Sequence, residues 1–288
     1  MAAAAAALAA TVCALWAFRG LPGGTVLFWL TPFPLFAAGL GFGLGSAVAG
    51  AVLAAVLVAL AGGGLPMLVF LLLFGVPVPL LLGAAMRGGG FGLSLPLALL
   101  GLWPVSVLLC AALFLVDDGG LEPAMRRAVE IALARLGLPA QEMLVAELVR
   151  VKAAAIGFWA CIALLANAAG AERFLARRGW LQGPRIPWSA VRLPGWYLPL
   201  PAIAAGFFLA APEDGDAVAL SALLLLLVPL FLQGCAGVHA RVRGRPGAAA
   251  MLAGFYLLML LFLQIMGPGL VGLGLYDQIR RRPAPRNS

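Results

Sequence analysis

"TPFPLFAAGLGFGLGSAVAGAVLAAVLVALAGG", residues 31–63, carries no charged side chain from end to end. Its apolar residues do not alternate with polar ones as they would in a half-buried strand. A bilayer core takes roughly 17–25 apolar residues as helix. The stretch therefore reads as the end of one apolar run, 25–41, and the whole of another, 43–61, with only "GLGFGLG" between them. That spacing predicts a tight hairpin or one broken element. Pro32 and Pro34 interrupt the first run.

The same composition extends outward in both directions. The 288 residues are 64% hydrophobic and 10% charged, where a soluble domain carries about 25% charged residues. Arg19 and Arg87 are the only charges before Asp117, too little polar surface to cover a soluble core. The expected fold class is all-α, a polytopic integral membrane protein. About nine transmembrane helices are expected, at 2–18, 25–41, 43–61, 65–86, 93–116, 151–170, 196–211, 217–238 and 247–267. The start, "MAAAAAALAATVCALWAFRG", lacks a basic leader and reads as a first membrane helix. The alternative is an Ala-rich segment lying against other helices.

Residues 117–150 break the apolar pattern. In "LEPAMRRAVEIALARLG" (121–137), Leu121, Met125, Val129, Ala132, Leu133 and Leu136 share one helical stripe, and the charges lie mostly off it. This is an amphipathic helix, expected flat at the outer interface or, alternatively, as a lid. A second helix from about Ala140 should run into the sixth span. The expected organisation is a five-span half (1–116), an extracytoplasmic helical linker (117–150), a four-span half (151–276) and a basic tail (277–288).

Arginine placement orients the chain by the positive-inside rule. Arg173, Arg177, Arg178, Arg185 and Arg192 follow the sixth span, and His239, Arg241, Arg243 and Arg245 follow the eighth. Both loops are expected to be cytoplasmic, with "VDDGGLE" (116–122) and "PEDGD" (212–216) outside. One further span would then strand "QIRRRPAPR" (278–286) outside, against the rule. Either the last run, 247–276, is a hairpin broken at Pro268, the favoured reading, or the tail breaks the rule. The net charge of +8 is scattered over short loops rather than gathered on one face, so nucleic acid is not an expected partner. Arg177, Arg178, Arg241, Arg243 and Arg245 are instead candidate contacts to the lipid bilayer or to a partner protein.

Chemistry-bearing residues are few. Cys13, Cys110, Cys161 and Cys235 fall on four different spans, and none belongs to a CxxC. Cys235 and His239 are four apart, but two ligands are half of a zinc site. There is no GxSxG, HExxH or phosphate-binding GK[ST]. No catalytic residue, metal or cofactor is expected, and the chain is not expected to be an enzyme. Asn167, Gln233 and Gln264 are amides within apolar runs. A polar group in hydrocarbon needs a partner, so each is either helix-to-helix glue or a contact to a small-molecule ligand. Gly39, Gly43 and Ala47, like Gly41 and Gly45, have the small-xxx-small spacing that lets helices approach closely.

Across the carboxyl half, "LLANAAGAERFLARRG" (164–179), "VRLPGWYLPLP" (191–201), "LVPLFLQGCAGVHARVR" (227–243), "AGFYLLMLLFL" (253–263) and "VGLGLYDQIRRR" (271–282) recur in an order that resembles the YybS-like bacterial membrane proteins, a family of unknown function. The positions that carry it are Asn167, Arg178, Leu193, Pro194, Gln233, Gly234, His239, Tyr256, Gly274 and Asp277. Ile279 stands where a tryptophan is frequent in that family. The stretch 31–63 is more loosely similar to the substrate-binding membrane subunits of energy-coupling-factor transporters. The resemblances imply a multi-pass protein of the bacterial inner membrane. Two functions are consistent with these residues. One is a solute-binding or transport component, with Gln233, Asn167 and Gln264 as ligand contacts and a separate ATP-hydrolysing partner. The other is a non-catalytic scaffold recruiting partners through its basic loops.

Overall fold

The computed structural model describes residues 1–87, 91–117, 120–183, 188, 191–212 and 216–280. Arg185, Asp118, Glu213, Asp214 and the tail from Arg281 onward, all named above, lie outside the described residues. Within them the chain is helical, with no strand. It divides into two compact units, Met1–Leu99 with Ala155–Ile186, and Leu100–Ala154 with Pro187–Ser288. This partition does not follow the halves drawn from hydropathy.

The first unit is built around α1 (Ala2–Phe18), α2 (Gly24–Leu30), α3 (Pro32–Phe42), α4 (Leu44–Gly62), α5 (Gly64–Phe70) and α6 (Pro77–Ala85). Each interruption has a chemical cause. Pro32 cannot donate to the carbonyl four residues back, so α2 stops and α3 restarts with Pro32 at its first position. Likewise Pro77 opens α6, and a π-helical turn, Leu71–Gly75, precedes it. Val76 N–H there reaches back five residues to Leu71 O at 3.0 Å. The α3–α4 junction is the hairpin expected from "GLGFGLG". Gly43 takes φ +90°, a conformation that glycine adopts at little cost. Consequently Gly39, Gly43 and Ala47 do not form one helical stripe. Gly43 is the turn, and Gly39 and Ala47 face one another across it, with a Cβ built on Gly39 falling 3.1 Å from that of Ala47. In α1, where every spacing from 2 to 10 is alanine-rich, the buried face is Ala6, Ala7, Ala10, Thr11 and Ala14.

The second unit begins within α7 (Ser94–Phe114) and adds α8 (Leu121–Arg135), the start of α9 (Glu142–Arg178), α10 (Pro199–Ala210), α11 (Ala217–Val242), α12 (Ala248–Leu261) and α13 (Leu263–Arg280). The amphipathic segment is α8. Its Val129 and Leu133 pack on Val145 and Val149 of α9, with Met125 alongside, while Leu136 from the expected stripe is exposed. As expected, α9 is continuous. At 37 residues it is about 55 Å long, nearly twice a hydrocarbon core of about 30 Å. Tyr197, fully buried ahead of α10, donates its hydroxyl to Leu226 O at 2.9 Å. Only a glycine at 101 leaves room for it, since a Cβ there would lie 2.2 Å from the Tyr197 oxygen.

Among the described residues, six stretches are long and apolar enough to cross a membrane: Gly24–Phe42, Leu44–Gly62, Gly64–Ala85, Ser94–Phe114, Glu142–Arg178 and Ala217–Val242. The nine apolar runs all form helix, but the count of nine spans is not reached. The run at 2–18 gives a 17-residue helix, that at 196–211 shortens to 12 residues in α10, and the last run is bent by 120°.

That bend corrects the expected break at Pro268. The chain turns at Phe262, and Pro268 lies inside α13. The amides of Ile265 and Met266 both donate to Phe262 O, at 3.0 and 2.9 Å. The first turn of α13 is thus anchored before the proline is reached, and the missing proline amide deprives only the Gln264 carbonyl of its helical partner. A 120° bend folds the chain back. Arg241 of α11 grips Asp277 of α13 through two bonds, at 3.0 and 2.7 Å. The carboxyl ends of α11 and α13 therefore lie together. Arg280, the last residue of α13, therefore lies toward the end of α11 that carries His239 and Arg241.

Candidate functional site

The polar residues that hydropathy singled out occupy three different environments. Gln233 lies in the crossing of α11 and α13. That crossing is close because glycines form it. A Cβ on Gly234 would stand 2.0 Å from Leu270 O, and one on Gly274 would stand 2.0 Å from Leu230 O. Gln233 is 3% exposed, and its amide is fully used. Its Oε1 accepts from Leu193 N–H at 3.1 Å, and its Nε2 donates to Gly274 O at 3.2 Å and to Gln278 Oε1 at 2.9 Å. Gln278 closes the ring by donating its Nε2 to Leu193 O at 2.7 Å. Two glutamines thus hold both backbone groups of one residue, in a segment that Pro194 keeps extended (φ −60°, ψ 145°). The cluster has the form of a lock.

Asn167 lies on α9 in the first unit, beside the α2–α3 interruption. Pro32 takes away the helical donor of Phe28 O, and that carbonyl and others around the break find other donors. Thr31 supplies its hydroxyl to Leu27 O at 3.3 Å and its amide to Phe28 O at 3.2 Å. Asn167 Nδ2 takes Trp29 O at 2.7 Å and Ala163 O, also at 2.7 Å. This is how interrupted membrane helices are made tolerable. Both partners are carbonyls, so the orientation of the amide is settled: nitrogen faces them, and Oδ1 is the atom left over. Asn167 is 5% exposed, and Oδ1 has no hydrogen-bond partner. Around Trp29 the second interruption also arrives. Phe74, from the π-helical turn, packs edge-on against Phe28 and Trp29, with centroids 5.0 and 6.2 Å apart.

Gln264 is exposed, two residues beyond the bend between α12 and α13. Asn167 belongs to the first unit and Gln233 and Gln264 to the second, where Gln264 is not among the hydrogen-bond partners of Gln233.

The basic candidates are also unequal. Arg241 is committed to Asp277, and a Cβ on Gly237 would intrude to 2.5 Å from Asp277 Oδ2 and 2.7 Å from an Arg241 nitrogen. Arg178 stacks over Phe174 at 5.3 Å. Arg177, Arg243 and Arg245 are exposed. His239, the one histidine of the chain, shares a 2.7 Å hydrogen bond with Tyr256 of α12. Among the described residues no three His, Cys, Asp or Glu side chains gather to hold a metal ion.

Several functional-looking contacts had no sequence signal. Gln278 and the pairing of Arg150 Nε with Asp216 Oδ1 at 2.9 Å join residues far apart in the chain. Leu193, Gln233, Gly234, Gly274 and Asp277 meet in the α11–α13 crossing, and His239 meets Tyr256. Searches of protein families, of curated proteins and of solved structures return no match to this chain.

Proposed function

We propose that the protein is a non-catalytic, multi-pass component of a bacterial inner membrane that binds a small solute, with a separate ATP-hydrolysing partner if the solute is moved against a gradient. The observation that supports this reading is the unpaired Oδ1 of Asn167, buried beside an interrupted membrane helix. A buried acceptor without a donor costs about 1–3 kcal/mol. Binding a ligand that brings an N–H or O–H to it recovers that free energy. Interrupted helices are where membrane transporters place such contacts, and π-helical turns recur at functional positions. Both features meet at Trp29. The scaffold reading draws less support, because Arg241, central to its basic cluster, is already held by Asp277.

The test is extraction of small molecules from the protein purified in mild detergent, compared with Asn167→Ala purified in the same way. A small polar molecule carrying a donor group should be enriched with the unaltered protein and depleted at least about tenfold with the variant, which corresponds to a loss of about 1.4 kcal/mol. Equal recovery from both would refute the assignment of Asn167.

A further inference from the structure

The first unit, Met1–Leu99 with Ala155–Ile186, sorts its charges by sign. Glu172 is its only acidic residue, and it is 7% exposed. The arginines among its described residues, Arg19, Arg87, Arg173, Arg177 and Arg178, are all exposed. Its buried charge is therefore negative and its exposed charge positive. Burying an ionisable group in a membrane protein is expensive, and such groups recur along substrate and ion paths.

Glu172 belongs to the same helix contact as Asn167. α9 runs alongside α2 and α3, and both advance in the same direction. Asn167 reaches Trp29 O, a Cβ on Gly170 would lie 3.7 Å from the Phe33 ring, and one on Gly41 would lie 3.2 Å from Leu175 Cδ2. Glu172 falls between the second and third of these points, about 7.5 Å along the helix from Asn167. The polar atoms around Asn167 carry the same sign as Glu172. Leu27 O, Phe28 O and Trp29 O belong to the last turn of α2. They take their protons from Thr31 Oγ, Thr31 N–H and Asn167 Nδ2 respectively. Carbonyls at the carboxyl end of a helix present the negative ends of their dipoles. The atom left open, Asn167 Oδ1, is a further oxygen and can only accept.

We infer that the solute is a protonated amine, an inference that rests on the assignment of Asn167 to a solute site. Its N–H donates to Asn167 Oδ1, and Glu172 supplies the compensating charge along α9. A carboxylate or a phosphate would bring acceptors to an acceptor, inside a unit whose buried charge is already negative. Calcium or magnesium collects about six or more oxygens, whereas a single open oxygen suits one N–H. A charged donor also makes a hydrogen bond roughly twice as strong as a neutral one, which sets an amine above an amide or an alcohol of the same shape.

Probes of similar size separate charge from hydrogen bonding. Butylammonium has both, tetramethylammonium has the charge without an N–H, butyramide has the N–H without the charge, and butyrate has the opposite charge. The full chain in mild detergent, at neutral pH and fixed ionic strength, is unfolded by heat in the presence of each. Butylammonium should raise the midpoint most and butyramide less, and the other two should leave it in place. Asn167→Ala should weaken butylammonium binding about tenfold. Glu172→Gln should weaken butylammonium and leave butyramide unaltered, a split that a purely structural glutamate would not produce. The comparison among probes needs no variant, so it stands even where Glu172→Gln fails to fold. Butyramide acting through Asn167 as strongly as butylammonium would overturn the amine and leave the solute site in place, as would a Glu172→Gln protein that weakens both equally. No shift with any probe would remove the Asn167 site and this inference with it.

Discussion

Gln233 and Asn167 are the same functional group in the same kind of surroundings, and they have opposite fates. Both are carboxamides buried on long apolar helices. Gln233 meets Leu193, Gly274 and Gln278 and leaves nothing unsatisfied. Asn167 spends its nitrogen on Trp29 and Ala163 and keeps its oxygen unpaired. The difference comes from the neighbours. The α11–α13 crossing is closed by glycines until backbone meets backbone, so every polar atom finds a partner. At Asn167 one carbonyl of the α2–α3 interruption, Trp29 O, and one of its own helix, Ala163 O, take both bonds of the nitrogen and leave an acceptor over. A buried amide becomes a lock where donors and acceptors balance, and a site where they do not.

The largest break in this comparison should come from the crossing itself. Gly274→Ala places a methyl 2.0 Å from Leu230 O and 3.1 Å from Gly234 N, so α11 and α13 must separate. A loss of about 3 kcal/mol or more is expected, the upper end for overpacking, seen as a lowered midpoint in detergent unfolding together with loss of the Gln233 ring. Gln233→Leu should follow, at about 2 kcal/mol, because Leu193 N–H is left buried without an acceptor. Asn167→Leu removes two donor bonds but also an unpaired oxygen, so its cost should be smaller, about 1 kcal/mol or less. An Asn167 variant that destabilises as much as Gln233→Leu would erase the distinction.

Thr11 sharpens the same point from the other side. Its hydroxyl, on the buried face of α1, is also without a partner. Thr11→Val should therefore be neutral or stabilising by up to about 1 kcal/mol, with bound solute unchanged. The smallest effect is expected on the amphipathic hairpin. Arg126 donates to Glu142 at 2.7 Å, and that bond raises the guanidinium above its ordinary range. A raised cation contributes below its pKa and loses that contribution only above it, which lies beyond working pH. The pair is solvated, so Arg126→Ala should leave the unfolding midpoint in place at any pH from 5 to 9.

Much of the fold could be read from residues 31–63 and their surroundings. Helical class, membrane character and the positions of the interruptions follow from hydropathy and proline chemistry, because these act within a few residues. Of the three runs that do not give a long straight span, two are set apart by length, the 17-residue α1 and the 12-residue α10, and the third by a bend. Hydropathy measures how apolar a run is, and it does not measure whether the helix within it is straight. The 247–276 run is apolar throughout, and its bend sits at Phe262, where no glycine or proline announces it. Pro268 and its flanking glycines, the obvious breakers, were absorbed into α13. For the sites, the amides could be identified but not sorted. Whether Gln233 is satisfied depends on Leu193 and Gln278, 40 and 45 residues away, and single-sequence pattern carries no information on that pairing.

The most direct test of the difference between the two amides is native mass spectrometry of the unaltered protein, Gln233→Leu and Asn167→Ala, released from the same mild detergent. The account predicts a small-molecule adduct on the unaltered chain, retained on whatever fraction of Gln233→Leu remains folded and missing from Asn167→Ala. An adduct that survives Asn167→Ala, or that disappears with Gln233→Leu alone, would contradict it.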